Sequence, residues 1–189
     1  MDVTKTLHCK NRAEWREWLE QNHETEKEIW FVFPCKNANE QSVTYNDAVE
    51  EALCFGWIDG TAKRLDDLHS VRRFTPRRKN SPYSRPNIER LILLNGQNML
   101  LAKVKEEVYD LISAPYVFPE DIINEIKKDT AAWKNYLNFS EPYKRIRIAY
   151  IEASRNKPKE FEKRLKNFIE KTRQNLIITG YGGVDKYYN

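Results

Sequence analysis

The N-terminal part of the chain alternates short strand patterns with two amphipathic helix patterns. Trp15, Trp18 and Leu19 fall at positions i, i+3 and i+4, which places them on one face of a helix. Asn11 is a typical N-cap residue for this helix, and Glu14 is its capping-box partner. The predicted helices are 12–22 and 46–57, and the predicted strands are 5–9, 28–35, 58–65 and 69–75.

The second helix pattern has a wide apolar face. Ala48, Leu53 and Phe55 contribute to this face, so we expect the helix to be largely buried. Thr44 or Asn46 can provide its N-cap. The two strands that follow are joined at Asp66-Asp67, which is a hairpin signal. A basic loop at 76–82 then ends the strand region.

Every later pattern is helical. The predicted helices are 85–95, 98–112, 120–128, 130–137, 141–155 and 158–176. Pro115 to Pro119 is a candidate linker, and the Gly- and Tyr-rich tail is expected to be mobile unless it docks. The sequence therefore predicts an α+β fold in which a small antiparallel sheet packs on helices, followed by an all-helical C-terminal module. The expected boundaries are 1–114 for the α+β core region, 115–178 for the helical module and 179–189 for the tail.

Composition is that of a folded chain without a membrane span. The 189 residues are 40% apolar and 12% aromatic, which is enough for a core. No apolar run approaches the roughly 20 residues that a spanning helix needs. The N-terminal residues lack the apolar core of a secretory signal. Cys9, Cys35 and Cys54 are odd in number and widely spaced, which favours a reducing cytoplasm over a disulfide framework or a zinc site.

The net charge of +4 conceals strong segregation along the chain. Residues 1–62 carry 6 basic and 12 acidic side chains, whereas residues 63–90 carry 9 basic and 3 acidic ones. Residues 143–173 are again basic, with a net charge of +7. This pattern is consistent with internal neutralisation of the acidic region and with a surface for anionic partners.

The candidate chemistry lies around the turn after the second helix. Asp59 is either an acid/base or ligand-accepting group beside the Trp57 indole, or a turn residue that accepts backbone N–H groups while Trp57 fills the core. Arg72 and Arg73 point to opposite faces of a strand, so at most one of them faces inward. Arg73 can serve an anion site through its planar fork, or pair with an acidic side chain of the N-terminal region.

Other reactive groups favour ordinary structural roles. Cys54 lies between apolar neighbours on a helix, which is typical of a buried, inert thiol. The three histidines show no metal-binding spacing. The basic C-terminal helices could follow a phosphate backbone, but glutamates interrupt them at spacings that form pairs within a helix.

One block of residues is specific enough to suggest a family. TYNDAVEEALCFGWIDG at Thr44–Gly60 is followed by RFTPRR at Arg73–Arg78, and it is preceded by Trp18-Leu19 and by EIWFVF at Glu28–Phe33. These pieces resemble the YdeI/OmpD-associated family of small bacterial proteins, also called bacteriocin-protection proteins. Relatives usually have Trp-Ser after the arginine-rich turn, where this chain has Tyr83-Ser84; an aromatic ring is kept and an indole N–H is lost.

The C-terminal helices extend the resemblance. The segment from Val117 to about Ile178 is similar to the helical module of the family, and AYIEASRNKP at Ala149–Pro158 is its clearest stretch. The family name describes phenotypes rather than a chemical activity. The resemblance implies a cytoplasmic protein with a link to envelope stress or bacteriocin protection.

Together these observations predict a binding protein with a polar-aromatic pocket for a small anionic ligand. We expect Trp57, Asp59 and Arg73 to converge on this pocket, with Arg64 or Arg77 at its rim. The alternative is an enzyme of unidentified reaction that uses Asp59 as acid/base and Arg73 as electrophilic stabiliser. A third is a nucleic-acid-associated protein that uses the basic helices. No catalytic residue, metal site or cofactor is assigned.

Overall fold

The computed structural model describes residues 2–180, 183 and 185–188 of the chain. The chain divides into two compact units. Unit 1 comprises Met1–Tyr83 and Arg90–Ile112, and unit 2 comprises Ser84–Glu89 and Ser113–Asn189. The strands are β1 Thr6–Leu7, β2 Ile29–Pro34, β3 Trp57–Arg64 and β4 His69–Pro76. The α-helices are α1 Arg12–Asn22, α2 Tyr45–Cys54, α3 Arg85–Gly96, α4 Ala102–Ser113, α5 Glu120–Lys127, α6 Thr130–Asn138, α7 Glu141–Glu152 and α8 Pro158–Arg173.

Unit 1 is built on a four-stranded sheet with the order β1-β2-β4-β3. The predicted α+β class is confirmed, but the sheet is mixed rather than wholly antiparallel. β1 pairs with β2 in parallel, through Thr6 with Trp30 and Leu7 with Phe31. The physical reason is the connection: α1 lies between the two strands and returns the chain to the end of the sheet where it started. The pairs of β4 with β2 and with β3 are antiparallel.

Local capping signals begin both N-terminal helices. The Asn11 side chain accepts from the Glu14 N–H at 3.0 Å, as the capping box predicts. The Glu14 carboxylate reaches back to the Lys10 N–H at 2.8 Å, one residue before the cap. The Thr44 hydroxyl caps α2 by accepting from the Asp47 N–H at 3.2 Å. α2 ends before Gly56, whose φ of +72° belongs to the left-handed region that glycine tolerates.

The helices α1 and α2 cover one face of the sheet and form the core of unit 1. Trp15, Leu19 and Phe31 are fully buried there. The predicted apolar face of α2 is buried as well, since Ala48 and Leu53 are 0% and 1% exposed. Aromatic contacts connect the layers: Trp15 meets Phe31 edge to face, with ring centroids 4.9 Å apart.

Unit 2 is helical and has its own apolar core. Tyr143, Ile146 and Phe168 are almost fully buried at its centre. The Tyr143 hydroxyl accepts from the Ile178 N–H at 3.0 Å, which fixes the chain after α8. Among the described residues, no helix combines the length and the apolar character that crossing a membrane requires.

The described part of the predicted tail packs onto unit 2. Tyr187 and Tyr188 are buried, and the Ser140 hydroxyl donates to the Tyr188 carbonyl at 2.6 Å. The expectation of a mobile tail also concerned Tyr181, Gly182, Val184 and Asn189, which lie outside the described residues.

Candidate functional site

Trp57 is a core residue rather than a pocket wall. Its side chain is 1% exposed, and its indole N–H donates to the His23 carbonyl at 3.1 Å. Its ring meets Trp18 edge to face at a centroid distance of 5.8 Å. The indole therefore packs against α1 in the core, in agreement with the alternative in which Trp57 fills the core.

Asp59 and Arg73 lie on opposite faces of the sheet, so the predicted convergence on one pocket does not occur. Asp59 is paired in register with Phe74, the neighbour of Arg73 in β4. Residues paired across strands share a face and successive residues alternate. Arg73 shares its face with Trp30 and bonds to the Glu28 carboxylate through Nε at 2.6 Å. The hydrogen bonds from Thr4 and Arg73 lower the pKa of Glu28.

The two predicted rim arginines are used locally. Arg64 lies at the hairpin, where it donates to the Asp66 carbonyl at 3.0 Å and to the Asp67 carboxylate at 2.6 Å. Arg77 donates to the Ser81 carbonyl, and its guanidinium lies 3.3 Å from the centre of the Tyr83 ring. The aromatic side chain at position 83 is thus a platform for an arginine.

The arginine that reaches Asp59 is Arg72. Its Nη1 donates to the Asp59 carboxylate at 3.0 Å and to the Gly60 carbonyl at 3.3 Å. The guanidinium carbon lies 4.5 Å from the centre of the Tyr45 ring. The Tyr45 hydroxyl donates to the same Asp59 oxygen at 2.7 Å. Three side chains from α2, β3 and β4 thus form one small network, which we call the Tyr45–Asp59–Arg72 cluster.

Burial keeps the Tyr45 hydroxyl of this cluster protonated. Burial, followed by the hydrogen bond to Asp59, raises the pKa of Tyr45 to about 12, so its hydroxyl remains a donor at neutral pH. Asp59 is only 16% exposed and accepts from two donors. Because Asp59 positions both the ring and the guanidinium, Arg72 is preorganised.

The cluster borders a cleft of about 770 Å³ in unit 1. Arg72, Tyr45 and Phe33 belong to its lining, and Phe33 meets Tyr45 edge to face at 6.1 Å. The loop 35–44, which contains a 3₁₀ turn at Lys36–Ala38, contributes most of the other lining residues. The polar lining side chains come mostly from this loop and the sheet: Lys36, Asn39, Glu40, Gln41, Ser42, Thr44 and Ser70.

Two further groups lie at the edge of the cleft. The thiol of Cys35 is free and exposed, and it belongs to the lining. Glu40 bonds to His69 at 3.2 Å, and His69 also contacts Asp66 at 2.8 Å. These two carboxylates raise the pKa of His69, with the bond to Asp66 the larger cause. In the described part of the chain, no group of three or more potential metal ligands is arranged to hold an ion.

Arg72 and Tyr45 are the site residues that sequence reasoning missed. The alternation in β4 offered a signal for Arg72, since it shares its phase with Phe74, a core residue. Val71 is buried as well, however, so alternation along β4 does not show which set of side chains faces the core. Tyr45 opens α2 and carried no sequence signal for a contact with Asp59.

Comparison with known families finds a match for each part of the chain. Residues 7–107 match a domain of unknown function, DUF8412, and residues 115–175 match the family described as bacteriocin-protection, YdeI or OmpD-associated. Searches of curated proteins and of solved structures found no match. The predicted resemblance is confirmed at the C-terminal helices, whereas the N-terminal block that suggested it lies within the DUF8412 match, as does the cleft. Because that match spans more than half of the 189 residues, the chain belongs to the DUF8412 family and carries a YdeI/OmpD-associated segment after it.

Proposed function

We propose that this protein binds a small anionic ligand in the cleft of unit 1, and that Arg72 recognises a carboxylate of that ligand. The observation that carries this proposal is that only one nitrogen atom of the Arg72 guanidinium is bonded among the residues that the structure describes. Its Nη1 is held by Asp59 and its plane lies near Tyr45. No described residue bonds to its Nε or Nη2. An arginine edge with two parallel N–H donors matches the two oxygens of a carboxylate.

The size and charge of the cleft support the same ligand class. A volume of about 770 Å³ lies within the range of about 300–1,000 Å³ typical of small-molecule sites. Two of its lining side chains are basic, Lys36 and Arg72, and one is acidic, Glu40; Asp59, which is not part of the lining, pairs with Arg72. The Tyr45 and Phe33 rings add an apolar wall. A polar molecule with one carboxylate fits this combination.

The cellular setting is part of the proposal. Cys9, Cys35 and Cys54 are all free thiols, which is usual for a protein of the reducing cytoplasm. The YdeI/OmpD-associated segment supports a role connected with bacteriocin protection or envelope stress. We infer that a bacterial cytoplasmic binding protein would meet its ligand as a free metabolite.

The two other predicted functions have less support from the geometry. An enzyme that uses Asp59 with Arg73 would need both groups on one face of the sheet, and they lie on opposite faces. Five of the basic side chains that a nucleic-acid surface on unit 2 would use form ion pairs with carboxylates instead. These are Lys144, Arg145, Arg155, Arg164 and Arg173.

A ligand screen with matched neutral compounds tests the proposal. We would titrate the isotopically labelled protein with small carboxylic acids and, for each acid, the corresponding primary amide. We expect the carboxylic acids to shift the backbone N–H resonances of residues 35–45 and 70–72. The primary amide compounds should bind at least about tenfold more weakly, because they lose a charge-assisted bond. Equal binding of acids and amides, or shifts confined to other residues, would refute it.

A further inference from the structure

Unit 2 contains a buried arginine that has no acidic partner. Arg147 in α7 is 5% exposed. Among the described residues, no carboxylate forms an ion pair with it, and its Nε has no hydrogen-bond partner. The other buried or half-buried arginines of this unit have an acidic partner: Arg85 and Arg145 bond to Glu89, and Arg164 bonds to Glu160. A buried cation that lacks a counter-charge is unfavourable, so its retention points to a missing anion.

Arg147 lines a pocket of about 330 Å³ whose lining includes other basic side chains. Lys163 and Arg164 from α8 belong to the same lining, together with Asn167 and Thr179 as neutral polar groups. Glu160 is the acidic residue of this lining, and Arg164 neutralises it through a bond of 2.8 Å. The pocket thus has two excess positive charges.

The arginines are fixed in place by Tyr150. The guanidinium carbon of Arg164 lies 3.9 Å from the centre of the Tyr150 ring, and that of Arg147 lies 5.0 Å from it. Arg164 also donates to the Tyr150 carbonyl at 2.7 Å. Two like charges near one ring repel each other, and a bound anion would remove this repulsion.

The hydroxyl of Tyr188 is a further unsatisfied group beside Arg147. It is buried and has no hydrogen-bond partner among the described residues. Burial raises the pKa of Tyr188 to about 12, and the charge of Arg147 acts in the opposite direction. The hydroxyl therefore stays protonated at neutral pH and offers Arg147 no negative charge.

We propose that this pocket, lined by Arg147, Lys163 and Arg164, is a second binding site that takes a phosphate group. The two excess positive charges match the charge of a phosphate, about −1.5 to −2 at neutral pH, better than that of a single carboxylate. A pocket of about 330 Å³ has room for a phosphate group together with a small organic part, since it lies at the lower end of the range of about 300–1,000 Å³ for small-molecule sites. Free phosphate and the phosphate group of a small phosphomonoester are the two sources of this chemistry.

Calorimetric titration of the full chain tests the site. The probes are inorganic phosphate and glycerol 3-phosphate, each titrated at constant ionic strength set with sodium chloride. Saturable binding of either probe supports the site, and the tighter of the two identifies the source. No saturable binding of either probe to the wild-type protein would overturn the proposal.

Four variants locate the binding. Arg147→Met should weaken phosphate binding about tenfold or more, since a charge-assisted contact is lost. Lys163→Ala, at the exposed rim, should weaken it about two- to fivefold. Arg155→Met is the matched control: Arg155 is paired with Asp121 and Glu152 outside the pocket, so its loss should leave the affinity unchanged. Arg72→Met in unit 1 should also leave it unchanged.

The pattern of these variants is decisive even if one of them does not fold. If Arg147→Met unfolds, as circular dichroism would show, Lys163→Ala still tests the pocket, because it changes an exposed residue. Equal affinity in the wild type and Lys163→Ala, or a loss of affinity in Arg72→Met, would contradict this location and place the phosphate elsewhere. These results are independent of carboxylate binding in unit 1.

Discussion

Glu51 is the centre of a buried ion-pair cluster that connects α1 with α2. Its carboxylate is 0% exposed, although it carries a formal charge. Arg12 donates to it through Nε, and Arg16 donates through Nη1 at 2.8 Å. The substitution Glu51→Gln keeps the shape of the side chain and removes its charge. It leaves two guanidinium groups beside a neutral amide.

The magnitude of the effect follows from the exposure of the arginines. Removing one partner of a fully buried pair costs about 3–5 kcal/mol. Here the side chains of Arg12 and Arg16 are 34% and 30% exposed, so water solvates part of their charge. Arg12 also retains Glu50 at 2.9 Å. We therefore expect Glu51→Gln to lower the free energy of unfolding by about 2–3 kcal/mol, below the range for a fully buried pair.

Urea denaturation followed by tryptophan fluorescence measures this change. Trp15, Trp18, Trp30 and Trp57 lie in unit 1, so the signal reports mainly on that unit. The matched control is Glu20→Gln, which removes an exposed carboxylate 3.3 Å from the same Arg16 and should cost less than about 0.5 kcal/mol. Equal costs for the two variants would refute the reasoning.

Three further predictions concern the core, the thiols and pH. Leu53→Ala should cost about 2–5 kcal/mol in the same assay, since Leu53 is 1% exposed; a cost below about 0.5 kcal/mol, typical of surface sites, would contradict its core position. Exposed Cys35 should react rapidly with a thiol reagent in the native state, whereas Cys54 should react only on unfolding, because burial raises its pKa to about 12; fast labelling of both would contradict this. The pKa of His69 is raised above its ordinary value of 6.5, so its contact with Asp66 stabilises the fold fully below pH 6.5. This contribution is lost as pH rises through the higher pKa of the folded state. Stability measured against pH should therefore differ between the wild type and His69→Gln, and identical curves would contradict the prediction.

Local signals predicted much of the secondary structure. α1 has the predicted bounds because an N-cap at Asn11 and an apolar face at Trp15, Trp18 and Leu19 are encoded within a single helix. The hairpin of β3 and β4 was likewise indicated by Asp66, whose carboxylate accepts the N–H groups of residues 68 and 69 at 2.7 and 2.8 Å. Such contacts join residues that are close in sequence, so they can be predicted without knowing the tertiary structure.

The site was less predictable because it depends on strand register. Asp59 pairs with Phe74, but Ala62, three residues later, pairs with Arg72, only two residues earlier in β4. This β-bulge inserts an extra residue into β3, and the alternation of apolar and polar residues does not predict it. Buried residues in both phases of β4 also made Arg72 and Arg73 indistinguishable by parity. We therefore expected Arg73 near Asp59 from the sequence, whereas the structure brings the neighbouring Arg72 to it.

We propose that Arg72, and not Arg73, recognises the carboxylate of the ligand. Both residues are arginines of β4, and both pair with a carboxylate, Asp59 or Glu28, so Arg72→Met and Arg73→Met are the same chemical change on opposite faces. The decisive measurement is the dissociation constant of the tightest-binding carboxylic acid for each variant. We expect a loss of affinity of about tenfold or more for Arg72→Met and no loss for Arg73→Met. An equal loss in both variants, or a loss only in Arg73→Met, would contradict it.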